Sequence, residues 1–393
     1  ASTKSSNYGF QPSFAFMAST NNTPSTVPNE MASSIPIPKG YGAATTSPWA
    51  SYWLESIYRE ISGLLAMGVW MVMLAKAVPK LARRVRCHYI FSVKTLKTGL
   101  IERFKARLVA DGNTQTYGID YDQVFSTVVK WVTLRICLFY AAIYDWEISG
   151  IDISQAFLYG KLDKDIYMDM PPGLPKYDQF GNELCVKLLR TLYGLKQSPR
   201  AFNALLLSIF SLFGLVQSKL DPCLFMFKSS DKVSILWVLI WVDDLVIITN
   251  DKSLRSRFKA HLEKHFTITY KETLDWLLGV SLTRDRADRS LVMSQELYVK
   301  TLLTKFEGLL KDHSRTYSTP AGEETAKFTP DDCPKEGTQE KLDMMAFHAT
   351  YMHLIGAFLW LTTCSMPFLG YVTSVLSRFT INPGVYRTRV VEV

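Results

Sequence analysis

The chain has 393 residues, 48% hydrophobic and 13% aromatic, which is enough for two or three packed domains or one large enzyme. A net charge of +8 points to an anionic partner, nucleic acid being the usual one, with a solvated basic face as the plainer alternative. Six scattered cysteines with no Cys-x-x-Cys pair argue against a disulfide scaffold and a zinc knuckle, and no secretory signal is visible in the polar N-terminal stretch.

Half of residues 1–50 are Ser, Thr, Asn or Pro, and only Lys4, Glu30 and Lys39 are charged. Such a stretch buries too little apolar surface to offset chain entropy, so residues 1–48 are expected to be a disordered linker with order beginning near Trp49. Starting at Ala1, the chain is expected to be a piece of a longer product. Residues Trp53–Trp70 have helical apolar spacing. From Lys76 to Arg107 ten Lys or Arg residues face a single acid, Glu102, and the run contains short β-like pieces such as Tyr89–Val93.

From Ile101 to about Gly279 apolar runs alternate with amphipathic segments, which predicts a mixed α+β domain. Leu205–Leu215 reads as part of a buried helix and Ser253–Phe266 as an exposed one. Residues 311–340 turn polar, with Pro320, Gly322, Pro330 and Pro334 marking a linker. Met344–Ser377 carries no Lys, Arg, Asp or Glu, long enough to raise a membrane span, which needs about 20 apolar residues. Thr362, Thr363, Ser365, Pro367, His348 and His353 interrupt it, so two buried helices and no membrane are expected.

The most informative segment is Ile235–Ile248, ILWVLIWVDDLVII. Its β-branched and aromatic residues read as a strand that breaks at Asp243 and Asp244 into a tight turn and a second strand. The plain reading is a hairpin connection. Against it, adjacent carboxylates with apolar flanks repel each other and lose hydration unless a cation compensates them. A second carboxylate, Asp152, ends a β-like run in Trp146–Gly160 ahead of an expected helix. Packed beside the hairpin, it would complete a set of three hard oxygen donors, favouring magnesium over zinc. Two such ions ~3.5–4 Å apart would suit phosphoryl transfer. At HLEKH, His261, Glu263 and His265 lack the order of a zinc protease motif, and no Walker-type phosphate loop is present.

The chain resembles Copia-type reverse transcriptases from about Trp49 to its C-terminus. The matching pieces follow one another in order: FKARLVADGNTQTYGIDYDQVFS (Phe104–Ser126), IDISQAFLYGKLDKDIYMDMPPG (Ile151–Gly173), LYGLKQSPRAF (Leu192–Phe202), DPCLF (Asp221–Phe225), WVDDLVI (Trp241–Ile247) and LDWLLG (Leu274–Gly279). The resemblance implies an α+β right-hand polymerase with fingers and palm over residues 49–310. A partial connection region over 341–393 would lead toward a ribonuclease H domain. It implies that Asp152, Asp243 and Asp244 are catalytic and hold two Mg2+ ions, or Mn2+ in their place. Phe157 would be a steric gate against a ribose 2′-hydroxyl, with a core phenylalanine as the alternative. Gly194 and Lys196 would lie against the incoming dNTP or template, Lys105 and Arg107 would be fingers residues meeting the triphosphate, and Trp241 would stand near the primer end.

The implied partners are an RNA template, a DNA primer, the RNA–DNA hybrid, dNTPs, and the integrase and ribonuclease H of the same polyprotein. The implied setting is a cytoplasmic virus-like particle with a nuclear phase. Three departures bear on activity: Trp241 stands for the family's Tyr, CSMP (Cys364–Pro367) for a charged Thr-Arg-Pro-Asp signature, and Asn113 for a frequent aromatic. They keep a second function in view, that of an inactive retrotransposon remnant which binds nucleic acid without extending it.

Overall fold

Large apolar residues at helical spacing build the first ordered helices. The computed structural model describes residues 27–96, 98–122, 128–307, 319–320, 325 and 327–384. Helix α1 (Tyr41–Thr46) leads into α2 (Ala50–Ala66), which buries Trp53, Ile57, Ile61 and Leu64 on one face. That face packs on a hairpin of β3 (Cys87–Thr95) and β4 (Ile101–Ala110), where Trp53 meets Phe104 edge-on at 4.6 Å between ring centroids. Beside it, β1 (Trp70–Leu74), β2 (Arg84–Val85), β6 (Lys161–Asp169) and β7 (Leu184–Arg190) form a sheet in the order β1-β7-β6-β2. These elements share one buried cluster that is rich in aromatics.

A second core surrounds a sheet in the order β12-β5-β11-β10-β9-β8. Its members are β5 (Glu147–Ile153), β8 (Val216–Gln217), β9 (Leu224–Lys228), β10 (Ile235–Trp241), β11 (Asp244–Thr249) and β12 (Ile268–Lys271). Their β-branched residues suit a sheet covered on both faces. Its cover comes from α3 (Trp131–Ile143), α4 (Ser198–Phe213) and α5 (Lys252–Glu263). In α5, the expected exposed helix, Leu254, Phe258 and Leu262 are inserted into that core, and the Asp251 carboxylate caps its start by accepting from Ser253 and Leu254 N–H. A hairpin of β14 (Val280–Asp285) and β15 (Ser290–Ser294), joined by short β13 (Trp276–Leu277), is clasped to the end of α3. There Arg284 donates to the Ala141 and Trp146 carbonyls and to Asp145, adding a cationic donor at the helix C-terminus beside its backbone caps.

Several expectations need correction. Residues 1–26 lie outside the described residues, but order starts well before Trp49. Ile35 and Ala44 are buried, and Ile101 N–H donates to the Glu30 carbonyl at 3.0 Å, because a few apolar residues inside the Ser/Thr/Pro matrix reach the hairpin core. The helix expected after Asp152 is only a 3-10 turn, Ala156–Tyr159, entered through Gln155 at φ 54°. Much of the 311–340 linker lies outside the described residues; Pro330–Asp332 within it forms a 3-10 turn.

Farther on, Thr362 and Thr363 do not interrupt the apolar stretch. Helix α7 (Gln339–Cys364) runs through them, and Thr363 returns its hydroxyl to the Leu359 carbonyl. The break comes at Ser365–Pro367, before α8 (Gly370–Ser377). Among the described residues, α7 is the one helix long and apolar enough to cross a membrane by length and composition, with 33% of that window buried against the protein. The six cysteines, all described, form no disulfide.

Candidate active site

The three aspartates are brought together at one end of the six-stranded sheet by strand register. Strand β11 pairs antiparallel with β5, setting Asp244 opposite Asp152, and Ile153 N–H donates to the Asp243 carbonyl at 3.1 Å. Since 153 and 243 exchange the hydrogen bond, Asp152 and Asp244 form the neighbouring pair without one, the kind in which side chains on a shared face lie closest. The β10–β11 connection is a two-residue turn, Val242–Asp243, closed by Trp241 against Asp244. Val242 has φ 60°, rare for a β-branched residue and costing on the order of 1–3 kcal/mol. A hairpin turn of this size requires positive φ in that position, and the chain fills it with valine where glycine would be unstrained. That strain is not visible as a sequence pattern.

Charge accumulates where these strands end. Asp152 is exposed, while Asp243 and Asp244 are half-buried. Burial, with Asp243 and Asp152 beside it, pushes the Asp244 carboxyl up to about 6, against the pull of Lys271. Asp243 is raised by burial and by Asp152, and drawn back by Arg107 and Lys105. Lys105 and Arg107 of the β3–β4 hairpin thus lie within electrostatic reach of the acidic end of the sheet. Burial and the neighbouring Arg107, Lys94 and Arg103 lower the Lys105 ammonium, while Glu60 supports its charge.

Between the two charged elements stands Tyr193, which the motif reading quoted but gave no role. Arg107 lies over its ring at 5.4 Å, and Phe157 meets it edge-on at 5.4 Å. Burial pushes its hydroxyl up to about 12. Phe157, half-buried, also lies edge-on to Phe202 at 6.3 Å between ring centroids, so two aromatic rings hold it in place.

Gly194 is required by the packing of the protein itself. It sits at φ 89°, and a Cβ there would lie 2.1 Å from the Ala110 carbonyl oxygen. The close approach it permits is to β4, whose Ala110 N–H donates to the Tyr193 carbonyl at 2.8 Å. Lys196 donates its ammonium to the Tyr121 hydroxyl at 3.0 Å, above that residue's ring. Below it a buried ladder joins Gln115 to Gln197, and Gln197 to the Asp120 carbonyl. Two sequence motifs far apart in the chain, 114–121 and 192–198, are fastened together here. Residues 123–126, the end of FKARLVADGNTQTYGIDYDQVFS, lie outside the described residues. Trp241, half-buried, packs on Trp131 at 5.7 Å, which in turn meets Trp360 of α7 at 5.6 Å.

The carboxylates fit a hard divalent cation by chemistry, being oxygen donors whose repulsion a cation would relieve. Among the described residues, however, no three Asp, Glu, His or Cys side chains close up into a ligand set by themselves. That is compatible with an ion such as magnesium, which is held by one or two carboxylates and completed by water and substrate phosphates. At HLEKH, Nε2 of His261 lies 2.9 Å from the Ile209 carbonyl and the two rings are 5.4 Å apart, an inter-helix contact.

Comparison with known proteins fits this geometry. The profile of the family described as reverse transcriptase (RNA-dependent DNA polymerase) matches residues 69–321. The chain belongs to that family, in its Copia-type retrotransposon branch. It is 32% identical over 349 residues to the retrovirus-related Pol polyprotein from transposon TNT 1-94 of Nicotiana tabacum, covering 88% of this chain and 25% of that polyprotein. It is 36% identical over 253 residues to the corresponding polyprotein from transposon RE1 of Arabidopsis thaliana, covering 64% of this chain and 17% of the relative. A Ty1-GR3 Gag-Pol polyprotein of Saccharomyces cerevisiae is 27% identical over 54% of the chain. This reverse transcriptase chain therefore spans about a quarter or less of the relatives it matches.

Proposed function

We propose that the chain is an RNA-directed DNA polymerase that adds deoxynucleotides to a primer 3′-hydroxyl on an RNA template. The observation that carries this reading is the register pairing of Asp152 with Asp244, with Asp243 in the turn between strands and Lys105 and Arg107 facing it. In this reading the six-stranded sheet is the palm and the β3–β4 hairpin belongs to the fingers. Asp152, Asp243 and Asp244 would hold two Mg2+ ions, or Mn2+, which would supply charge neutralisation of the triphosphate and a more acidic primer hydroxyl. Asp152 and Asp243 would bind that charge, while Asp244 adds field and geometry. Arg107 and Lys105 would bind the triphosphate from the opposite side and favour departure of pyrophosphate. Phe157, held edge-on by Tyr193, would stand where a ribose 2′-hydroxyl would clash. Gly194, Lys196 and Trp241 are proposed to border nucleotide, template and primer.

Further partners in this reading are the hybrid itself and the other products of the polyprotein, integrase and ribonuclease H, within a cytoplasmic particle that has a nuclear phase. A second reading has its own observation. The tryptophan pile of Trp241, Trp131 and Trp360, together with carboxylates that do not close up into a ligand set, suits a chain that binds nucleic acid without extending it. Primer extension decides between them: an RNA template, a DNA primer, the four deoxynucleotides and either Mg2+ or Mn2+. Growth of the primer that stops on adding a chelator supports the polymerase. Salt-sensitive binding of the hybrid with no growth under either metal supports the remnant.

A further inference from the structure

Helix α2 precedes the residues matched by the family profile, and its inward face is apolar except at Ser56 and one charged residue. Glu60 stands among Trp53, Ile57, Ile61 and Leu64 and is only 8% exposed. A carboxylate in such a place is unfavourable unless hydrogen-bonded and faced by cations. Both conditions are met from one strand. Leu108 N–H of β4 donates to Glu60 Oε1 at 3.0 Å. Lys105 and Arg107 of the same strand pull the carboxyl down, against the burial that raises it.

The position of that bond matters. Strand β4 pairs only with β3, so its other edge has N–H groups that no strand satisfies. Glu60 takes the one at Leu108, directly after Arg107 and two residues before Ala110, whose own N–H holds the Tyr193 carbonyl. Arg107 is thereby fixed directly beside the first of two anchors, at the height where its guanidinium lies over the Tyr193 ring. The helix also reaches the other side of the site. At Gly63 a Cβ would lie 3.1 Å from Nε2 of Gln155, in the turn that follows Asp152. Helix α2 therefore touches both the basic strand and the turn after the first aspartate.

We propose that Glu60 is a positioning residue for triphosphate binding: by accepting the Leu108 N–H it fixes the strand edge that carries Lys105 and Arg107 in register with the aspartates. The inference rests on the polymerase reading, and on Lys105 and Arg107 meeting the triphosphate. Glu60 itself touches no substrate.

The test compares Glu60→Ala, Glu60→Gln and wild type in primer extension, with KM for the deoxynucleotide, kcat and Kd for the hybrid measured separately. Glutamine keeps an acceptor for Leu108 N–H and removes the charge, so it serves as the conservative rescue. Glu60→Ala is expected to raise KM for the nucleotide roughly tenfold, with hybrid Kd within about twofold and kcat per active site little changed. Glu60→Gln should recover most of the loss. In Arg107→Ala background the Glu60→Ala effect should shrink to about twofold, since the residue it positions is gone. Equal KM for wild type and Glu60→Ala, or equal effects with and without Arg107, overturns the inference.

Equilibrium binding of a labelled deoxynucleoside triphosphate to the chain–hybrid complex repeats the comparison without turnover. A chain that never extends but shows the same roughly tenfold difference loses the polymerase reading and keeps the positioning role. A wild-type chain that binds no triphosphate removes both. If Glu60→Ala fails to fold, Glu60→Gln carries the test alone. It then keeps slow exchange at the Leu108 amide and a KM within about threefold of wild type; fast exchange at that amide in wild type overturns the inference.

Discussion

The two lobes of the molecule achieve order by opposite means. The six-stranded sheet has an apolar core, and its three aspartates are confined to one end, where strand register brings 152 and 244 opposite each other across 92 positions of sequence. The β3–β4 hairpin is a two-stranded ribbon with a basic face, and it holds its shape through aromatic packing on α2 and through single bonds to Glu60 and Tyr193. Two strands alone are marginal in water, so the ribbon depends on what covers it. The acidic side of the site is built into a core; the basic side is supported from outside.

That contrast predicts which changes act locally and which spread. The largest effect belongs to the sheet. Asp152→Asn removes charge at an exposed strand end and should lower extension by about 10³-fold or more, with melting temperature nearly unchanged. A comparable loss of folding cooperativity would mean the acidic end is less independent than the contrast claims. Next comes the joint between the lobes. Gly194→Ala places a methyl group on the Ala110 carbonyl at positive φ and should cost about 2–4 kcal/mol, read by chemical denaturation.

On the basic side, Arg107→Ala should raise KM for the nucleotide roughly tenfold and leave the apolar cores intact. A fall in kcat alone would shift its role away from binding.

The smallest effect is a pH dependence. Burial and two neighbouring carboxylates hold Asp244 at about 6, above its ordinary 3.8, so the folded chain binds this proton more tightly than the unfolded one. Its ionisation therefore costs stability, a cost absent below pH ~4 and fully present above pH ~6. Asp244→Asn should be more stable than wild type at pH 7.5, by on the order of 1–2 kcal/mol, and indistinguishable from it near pH 4. Equal stability at both values would break the claim that the acids strain one another without a cation.

How much of this was legible in the sequence follows the same division. The aspartates announce themselves because charge inside a long β-branched run is conspicuous, and the strand–turn–strand reading of Ile235–Ile248 matches β10 and β11. What the run does not show is the register to β5, which depends on a strand far away in sequence, or the positive φ of Val242, which follows from how tightly the hairpin closes. Lys105 and Arg107 were visible as a basic run, but Glu60 was hidden in an amphipathic helix as an ordinary glutamate. Only its distance from solvent and the Leu108 bond, 48 positions away, distinguish it.

Gly194 was singled out for the right residue type, yet the close approach it allows is to Ala110 within the protein. Ile35 and Ala44 were lost because composition averages over a window, and two well-placed apolar residues do not change an average. The α7 helix runs through Thr362 and Thr363 because threonine can return its hydroxyl to the preceding turn, a local bond that hydropathy does not register.

The central claim, that acidic sheet end and basic ribbon form one nucleotidyl-transfer site, is tested most directly with Asp243→Asn. Extension and hybrid binding would be measured on the same preparation beside wild type, across a range of salt. The account predicts that extension is lost by about 10³-fold or more while hybrid affinity and its salt dependence stay within about twofold of wild type. Extension that survives the substitution, or is lost only together with binding, would contradict it.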